Sequence, residues 1–432
     1  MKDDKKEYRE LFVGVDYEIE KSDGKKIVPI NFDNAATTPA LKVVKENINT
    51  HLNMYGSIGR GAGIKSLETT KIYENSRKTV LDFFNLKESD NYTVIYVKNT
   101  TEGMNLLASA LIDSKKDKVL CTRMEHHAND LPWRKNAQVL YLETDKDGRL
   151  IFDNLEDILK SNNIKVVTIT GASNVTGYTN PINKVAKIAH KYGAIIVVDA
   201  AQLVAHKKIN ILGENDDEYL DFIVFSGHKM YAPFGVGAIV GRKDILKNKN
   251  PFLRGGGAVD IVFDREVYWE NIPKCYEAGT PNYFGVIGIV SAMKKLKEIG
   301  LENIESYENK MRDYLFKEID KIPNIIKYGA VDCENRISLL SINLKNKDHA
   351  TVAKELSELR EIAVRDGCFC AHCYVKRLLG FEDQETKKYL YDPSLERPGL
   401  VRISLGLYNN INEIDEFLSV LDYIATNNKI IY

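Results

Sequence analysis

The sequence has little that would tie it to a polyanion, a membrane or an oxidising compartment. Its 60 Lys and Arg residues nearly balance its 61 Asp and Glu residues, and a net charge of -1 gives no electrostatic reason to bind nucleic acid or an anionic membrane. No apolar run approaches the roughly 18 residues that indicate a membrane span, and residues 1–10 lack the apolar core of a signal peptide. Six cysteines in 432 residues are too few for a disulfide scaffold. We therefore expect a cytoplasmic protein without nucleic-acid or membrane partners.

The first half of the chain alternates between strand and helix patterns. Hydrophobic residues make up 44% of the sequence, which is enough for a sizeable core. Four short β-rich runs occupy residues 93–97, 166–170, 195–198 and 222–225. Between two of them, residues 181–191 have apolar side chains at helical spacing, with Pro181 at the start and Gly193 past the end. This alternation predicts an α/β architecture around a mostly parallel sheet.

Near residue 285 the pattern changes to longer, charged amphipathic stretches. Helical patterns cover residues 290–322, 348–360 and 413–426, and residues 338–344 have the composition of a strand. The change indicates a smaller α+β domain. We predict an N-terminal extension over residues 1–30, a large domain over 31–285 and a small C-terminal domain over 286–432.

Two apolar strands end in residues that suit a cofactor site. Asp199 directly follows residues 195–198, and an open α/β sheet binds its ligands at the carboxyl ends of its strands. A carboxylate there can pair with a pyridinium nitrogen, although a helix cap or a surface carboxylate has the same sequence pattern. Lys229 follows the next strand in a loop of small residues, where desolvation would lower its pKa and favour imine formation. Ser226 and His228 lie beside it and could donate hydrogen bonds to a phosphate.

Two further segments contain candidate ligands for the same group. Thr100 and Thr101 open a helical pattern after a strand, and free N–H groups with hydroxyls at a helix start can hold a phosphate. An ordinary N-cap has the same composition. His126 and His127 are adjacent, so their side chains diverge, and we expect one of them to stack on a flat cofactor or to carry protons.

Six short motifs occur together in the order found in one known family. They are residues 34–39 (NAATTP), 100–103 (TTEG), 125–129 (EHHAN), 199–202 (DAAQ), 226–229 (SGHK) and 277–282 (EAGTPN). From about residue 31 to the C-terminus the chain resembles the class-V aminotransferase family. More narrowly, it resembles the group II cysteine desulfurases and selenocysteine lyases.

The resemblance implies a fold-type-I pyridoxal-phosphate (PLP) enzyme. Such an enzyme has a large domain with a mostly parallel seven-stranded sheet, a smaller α+β C-terminal domain, and active sites at the interface of a homodimer. Carried over, Lys229 would hold the cofactor as a Schiff base and Asp199 would contact the pyridine nitrogen. Asn174 and Gln202 would contact the ring hydroxyl, and His126 would stack on the ring and take part in catalysis.

The resemblance also implies ligands for the phosphate and the substrate. The phosphate would be held by residues with hydroxyl or imidazole side chains, namely Thr100, Thr101, Ser226, His228 and Thr280 of the partner subunit. Arg402 would bind the substrate carboxylate through its planar guanidinium, and Ala35 would lie against the substrate.

Residues 363–371 follow the group II pattern, which places Cys370 at the position of the nucleophile. After Lys229 removes the Cα proton of L-cysteine, Cys370 would take the sulfur as a persulfide, and L-alanine would be released. A positive group such as Arg365 or a protonated histidine would favour the thiolate. The resemblance therefore implies a cysteine desulfurase that passes sulfur to an acceptor protein for Fe–S clusters or thio-cofactors.

The cysteine segment departs from the usual pattern, because Cys368 and Cys373 flank Cys370 and His372 lies among them. These groups could bind a metal, but the set has no second cysteine pair, so we predict no metal site. We favour the hypothesis that Cys368 or Cys373 receives sulfur from Cys370 or resolves its persulfide as a disulfide. The following residues 374–399 are longer than usual for the group and could form a lid or a protein-docking element.

Two other functions stay open at this stage. One is a different PLP enzyme, such as a selenocysteine lyase, another C–S lyase, an epimerase or an aminotransferase-type enzyme, in which Cys370 is not essential. The other is a sulfur- or metal-carrying interaction protein that uses the cysteine cluster without turnover. Retained sulfide release after removal of the Cys370 thiol would favour the first, and an absence of bound PLP would favour the second.

Overall fold

The computed structural model describes residues 8–427 except residues 22, 60, 88–89, 330–334 and 393. The ends of the predicted N-terminal extension and of the predicted small domain, residues 1–7 and 428–432, lie outside the described residues. Within the described part of the chain, no helix is both long enough and apolar enough to cross a membrane.

Seven strands form the central sheet, and six of them run in the same direction. Across the sheet the order is Tyr92–Val97, Gly237–Arg242, Phe222–Ser226, Ile195–Asp199, Ile164–Thr170, Lys118–Thr122 and Gln138–Leu142. Only Gly237–Arg242 is antiparallel to its neighbours. All four apolar runs seen in the sequence lie in these strands, and the predicted α/β class with a mostly parallel seven-stranded sheet is confirmed.

The helices of this part pack on the strands of the sheet or on one another. They are Lys42–Leu52, Ile64–Phe83, Thr100–Leu111, Leu131–Asn136, Leu155–Ser161, Ile182–Lys191, Lys243–Leu246 and Tyr283–Ile299. In Ile182–Lys191 the buried residues Ile182, Val185, Ala186 and Ala189 recur at the helical spacing predicted from the sequence. Pro181 is the N-cap of this helix, one position before the first turn where the sequence pattern placed it.

The C-terminal part is built on a second, antiparallel sheet. Its order is Ile325–Tyr328, Leu339–Leu344, Leu400–Ser404 and Arg365–Gly367. Its helices are Leu301–Ile319, His349–Arg360 and Ile411–Thr426. Ile30 and Phe32 belong to the same buried cluster as Leu340 and Val401, because Ile30–Asn31 pairs with Ile362–Ala363. Residues at the start of the chain therefore pack into the C-terminal part, while the predicted domain limits stay a prediction.

One expectation about helices changes in detail. The single helical stretch expected over residues 290–322 is two helices, Tyr283–Ile299 and Leu301–Ile319. Gly300 lies between them at a φ of 88°, a left-handed conformation that glycine adopts without the strain of a side chain. The stretch 374–399 contains most of His372–Leu378 and all of Asp383–Thr386 and Lys388–Tyr391.

Two small antiparallel hairpins complete the fold. Ile19–Glu20 pairs with Lys26–Ile27, and Val259–Val262 pairs with Val267–Trp269. Single 3-10 turns occur at Arg9–Leu11, His127–Asn129, Gly227–Lys229 and Lys274–Tyr276. The turn Gly227–Lys229 directly follows the central strand Phe222–Ser226, so it presents its side chains at the carboxyl end of the sheet.

Candidate active site

A cavity of about 330 Å³ lies at the carboxyl ends of the central strands, closed on one side by the C-terminal part. Every site residue predicted from the sequence lines it except Thr280. These are Ala35, Thr100, Thr101, His126, Asn174, Asp199, Gln202, Ser226, His228, Lys229, Cys370 and Arg402. The fold therefore brings together predicted site residues that are up to 367 positions apart in the sequence, from Ala35 to Arg402.

Asp199 ends one central strand, Lys229 lies in the turn after the neighbouring strand, and each influences the pKa of the other. Asp199 is buried, and burial raises its pKa, although the N–H of Ala201 and the charge of Lys229 oppose the rise. Burial lowers the pKa of Lys229 to about 8, against the attraction of Asp199. A larger fraction of Lys229 is therefore neutral near neutral pH than in an ordinary lysine, as an imine-forming amine requires.

His126 is held in one tautomer by the backbone. Its Nδ1 accepts a hydrogen bond from the N–H of Ala128 at 3.0 Å, so the neutral ring carries its proton on Nε2. Burial, with a smaller effect from Lys229, lowers the pKa of His126 to about 3. The ring that lines the cavity is therefore neutral, which suits stacking on a flat group and donation from Nε2.

Glu125 is a buried carboxyl group next to the site, and the sequence assigned it no role. It accepts hydrogen bonds from the Thr122 hydroxyl at 2.7 Å, the Asn129 amide at 2.7 Å and the Thr170 N–H at 2.8 Å. Burial raises its pKa to about 8, while the hydrogen bonds from Thr122 and Asn129 act in the opposite direction. Its bonds fix the ends of two central strands and the turn that carries His126. The sequence signal was its place before His126, but nothing there distinguishes a buried from an exposed glutamate.

Hydroxyl groups and a helix start form one end of the cavity. Ser226 Oγ lies 2.8 Å from the Thr100 N–H, from which it accepts a hydrogen bond, and 2.7 Å from Thr100 Oγ1. Asn99 caps the helix Thr100–Leu111 by accepting from the N–H of Glu102 at 3.0 Å. Burial lowers the pKa of His228 to about 4, so this ring is also neutral. Hydroxyls, a neutral imidazole and a 12-residue helix start make a suitable anion site.

Asn174 and Gln202 are positioned by backbone carbonyls from distant parts of the chain. The side-chain amide of Gln202 donates to the carbonyl of Ala35 at 2.8 Å. The side-chain amide of Asn174 donates to the carbonyl of Phe369 at 2.8 Å, which ties the cavity wall to residues 367–373, the cysteine loop.

Arg402 is the buried cation of the site, and Asp33 holds it. Arg402 is only 3% exposed and donates to the carboxylate of Asp33 at 2.9 Å and to the carbonyl of Asn174 at 3.0 Å. Burial lowers its pKa to about 10, and Asp33 opposes this shift. Asp33 also pairs with Arg365 at 2.7 Å. The Nε of Arg402 is buried without a hydrogen-bond partner among the described residues.

The cysteine loop places Cys370 at the mouth of the cavity. Cys370 is exposed, and both Phe369 and Cys370 have left-handed backbones with φ of 51° and 54°. The carbonyl of Cys370 accepts from the N–H of His127 at 2.7 Å. Arg365 lines the same cavity with a half-exposed side chain, so a guanidinium faces the space that Cys370 also faces.

The other two cysteines of the loop do not line this cavity. The Cys368 thiol donates to the carbonyl of Pro398 at 3.2 Å, and burial raises its pKa. Cys373 accepts a hydrogen bond from Arg134 with 3.6 Å between Nη2 and Sγ. In the part of the chain that is described, which leaves out Cys333, no group of three or more His, Cys, Asp or Glu residues could hold a metal ion.

Thr280 lies in a separate cavity of this chain. That cavity is also lined by Tyr73, Tyr96 and Glu277, and its walls include no residue that lines the site around Lys229. Thr280 itself is exposed. The role expected for it was in the site of the partner subunit, and that role stays a prediction.

Comparison with known proteins agrees with this geometry. The family model "Aminotransferase class-V" matches residues 30–417. The chain is 33% identical over 404 residues to a cysteine desulfurase of Wigglesworthia glossinidia brevipalpis, covering 91% of this chain and 92% of the relative. It is 31% identical over 402 residues to a cysteine desulfurase of Haloferax volcanii, covering 91% of this chain and 88% of the relative.

Solved structures show the same likeness in three dimensions. The apo cysteine desulfurase of Thermococcus onnurineus NA1 superposes with a TM-score of 0.82 at 31% identity, covering 92% of this chain and 94% of that one. A cysteine desulfurase of Escherichia coli superposes with a TM-score of 0.79 at 25% identity, covering 96% of this chain and 97% of that one. The match to the family model spans the motifs, the sheet and the cavity. The chain therefore belongs to the class-V aminotransferase family.

Proposed function

We propose that the chain is a PLP-dependent cysteine desulfurase that converts L-cysteine to L-alanine and forms a persulfide on Cys370. The observation that carries the proposal is one cavity lined by a lysine of lowered pKa, a buried aspartate, a buried arginine and an exposed cysteine: Lys229, Asp199, Arg402 and Cys370. The relatives named above are cysteine desulfurases, which supports the same reaction here.

The residues of the cavity fit PLP. One oxygen of Asp199 accepts from Ala201 at 2.9 Å, and the other has no donor among the described residues, which leaves a place for a pyridinium N–H. The group at Thr100 and Ser226 suits a phosphate. The cofactor would be held by Thr100, Thr101, His126, Asn174, Asp199, Gln202, Ser226, His228 and Lys229. When bound, PLP supplies an electron sink for the charge left on the substrate Cα.

Lys229 and Arg402 perform the binding and proton steps. The guanidinium of Arg402 orients the substrate through its carboxylate, and Asp33 keeps that guanidinium in place. Once released from the cofactor, the amine of Lys229 takes the proton from the substrate Cα and later returns a proton to the product. Its lowered pKa favours the neutral form that accepts this proton. Ala35 lines the cavity and bounds the space left for the substrate.

Cys370 performs the sulfur step. Its thiolate attacks the Sγ of the substrate, a new S–S bond forms, and the Sγ–Cβ bond breaks with its electron pair left on the carbon fragment. Protonation of that fragment gives alanine, and Cys370 keeps the sulfur as a persulfide. Arg365 lies on the same cavity wall and supplies positive charge for the thiolate.

We further propose a cytoplasmic homodimer that supplies sulfur to an acceptor protein for Fe–S clusters or thio-cofactors. The exposed Thr280 would then complete the phosphate site of the other subunit. Several large apolar side chains are exposed in the single chain, among them Phe234, Phe252 and Leu253. Phe252 and Leu253 line the same cavity as Thr280. Exposed apolar surface of this kind favours subunit association.

Steady-state turnover of the holoenzyme tests the proposal. With L-cysteine and a thiol reductant, we expect equal amounts of alanine and sulfide, and no turnover in Lys229→Ala. Pyruvate in place of alanine would instead indicate a different C–S lyase. A protein that purifies without PLP and cannot be loaded with it would contradict the proposal outright. Repeating the assay with L-selenocysteine separates a desulfurase from a selenocysteine lyase.

A further inference from the structure

The cysteine loop, residues 367–373, borders two cavities. Cys370 lines the active-site cavity of about 330 Å³. Cys368, His372 and Cys373 line a second cavity of about 390 Å³, whose remaining walls come mostly from the stretch 374–399. These walls include the apolar side chains of Val375 and Leu390. A sulfur bound on one side of the loop is therefore only a few residues from thiols that face another space.

The two thiols of the second cavity differ in their surroundings. The Cys368 thiol donates to the carbonyl of Pro398 at 3.2 Å, and a thiol that donates its proton to a carbonyl is held in the neutral form. The sulfur of Cys373 instead faces a cation, because Arg134 donates to it with 3.6 Å between Nη2 and Sγ. Asp130 fixes Arg134 through a second bond of 2.7 Å at Nε. A positive charge beside the sulfur stabilises the anion of a persulfide.

Only two residues separate Cys370 from Cys373 along the chain. Three residues span at most about 11 Å even when extended, and the segment is turned rather than extended. The N–H of Ala371 donates to the carbonyl of Cys368 at 2.8 Å, and the N–H of Tyr374 donates to the carbonyl of Ala371 at 3.0 Å. Cys370 is left-handed at a φ of 54°, a strained conformation for a residue with a side chain. The transfer requires a change of conformation at Cys370, because the two thiols face different cavities, and that change would relieve the strain.

We propose that Cys373 is a second sulfur carrier, which takes the sulfur from Cys370 and presents it to a thiol acceptor in the second cavity. This inference rests on the proposed function. The Cys373 thiolate attacks the outer sulfur of the Cys370 persulfide, a new S–S bond forms at Cys373, and Cys370 leaves as a thiolate. The step is an exchange without net oxidation, so it needs no further reagent. Cys370 is thereby free for the next substrate.

Locating the sulfur after one turnover tests the inference. The holoenzyme is mixed with one equivalent of L-cysteine, alkylated and digested, and the peptide 366–376, which contains all three thiols, is fragmented in a mass spectrometer. We expect the added sulfur on both Cys370 and Cys373 in the wild type, and on Cys370 alone in Cys373→Ser. Cys368→Ser is the matched control and keeps the wild-type distribution. Sulfur on Cys370 alone in the wild type would overturn the inference.

A trapping experiment tests the reach of the two thiols without any turnover. In holoenzyme carrying Cys368→Ser, mild oxidation with diamide should form a disulfide between Cys370 and Cys373, because both sulfurs must meet for the transfer. Failure to form it would overturn the inference even where alanine is produced. If the wild type instead makes neither alanine nor a Cys370 persulfide, the proposed function fails and the inference fails with it. The two failures are therefore distinguishable.

Discussion

Replacement of Asp33 should weaken the fold and the substrate site together. Asp33 is the anionic partner of Arg402, whose side chain is 3% exposed, and the two groups are 2.9 Å apart. Asp33→Ala leaves a buried guanidinium without its counter-charge, and removal of one partner of a buried pair costs about 3–5 kcal/mol. The carbonyl of Asn174 still accepts one hydrogen bond from Arg402, so the loss should lie near the lower end of that range.

The measurement is urea unfolding of the apoprotein, at a single protein concentration because subunit association changes the apparent stability. Asp16→Ala is the matched control, since Asp16 pairs with Arg9 at 2.7 Å but its side chain is 68% exposed. An exposed pair of this kind contributes about 0–1 kcal/mol. Asp33→Asn keeps an acceptor for Arg402, so its free energy of unfolding should lie between those of the control and of Asp33→Ala.

The holoenzyme should show the same dependence in its kinetics. In the proposed function Arg402 binds the substrate carboxylate and not the reacting atoms. Loss of its support should therefore raise KM for L-cysteine more than it lowers kcat. The reasoning about Arg402 is wrong if Asp33→Ala leaves KM unchanged and its free energy of unfolding lies within about 0.5 kcal/mol of the wild-type value, as is usual for a surface substitution.

Three further predictions concern the cofactor site and its support. The rate at which the apoprotein binds PLP covalently should rise with pH as Lys229 loses its proton, and it should level off above a pH of about 8. A rate that keeps rising up to the ordinary lysine pKa of about 10.4 would contradict the argument that burial lowers the pKa of Lys229. At a pH of about 9, above the pKa of about 8 of Glu125, its carboxylate accepts from both the Asn129 amide and the Thr170 N–H. In either orientation the amide N–H of Glu125→Gln would face one of these donors, and two donors cannot pair, so the substitution should destabilise the apoprotein in urea by about 1–3 kcal/mol. Unchanged stability would show that Glu125 does not fix these strand ends. Ser226→Ala removes the hydrogen-bond partner of Thr100 and should raise the Kd for PLP by about tenfold, which corresponds to one hydrogen bond of about 1.4 kcal/mol. The Kd is measured by titration of the apoprotein with PLP, and an unchanged value would exclude Ser226 from the phosphate site.

The parts of the fold that follow from local pattern could be predicted from the sequence. Asp199 and the turn with Lys229 each continue an apolar strand, so their place at the edge of the sheet follows from strand direction alone. The helix Ile182–Lys191 follows from the spacing of its apolar residues in the same way. The break at Gly300 was missed because amphipathic spacing continues on both sides of it.

Contacts between distant residues could not be predicted in this way. Asp33 and Arg402 are 369 positions apart, and no spacing rule links a residue near the start of the chain to a strand near its end. The burial of Glu125 depends on the packing of two strands and a turn, which its own neighbours in sequence do not specify. Family resemblance, and not local pattern, assigned Thr280 to the site of the partner subunit.

The central claim is that Cys370 removes sulfur from the substrate in this cavity, and a single turnover tests it most directly. The holoenzyme and its Cys370→Ala variant, both with PLP bound, are mixed with one equivalent of L-cysteine, and alanine is measured over time. The account predicts one alanine per active site in the wild type and none above background in the variant. Alanine formed at the wild-type rate by the variant would contradict it, because the carbon–sulfur bond would then break without the Cys370 thiol.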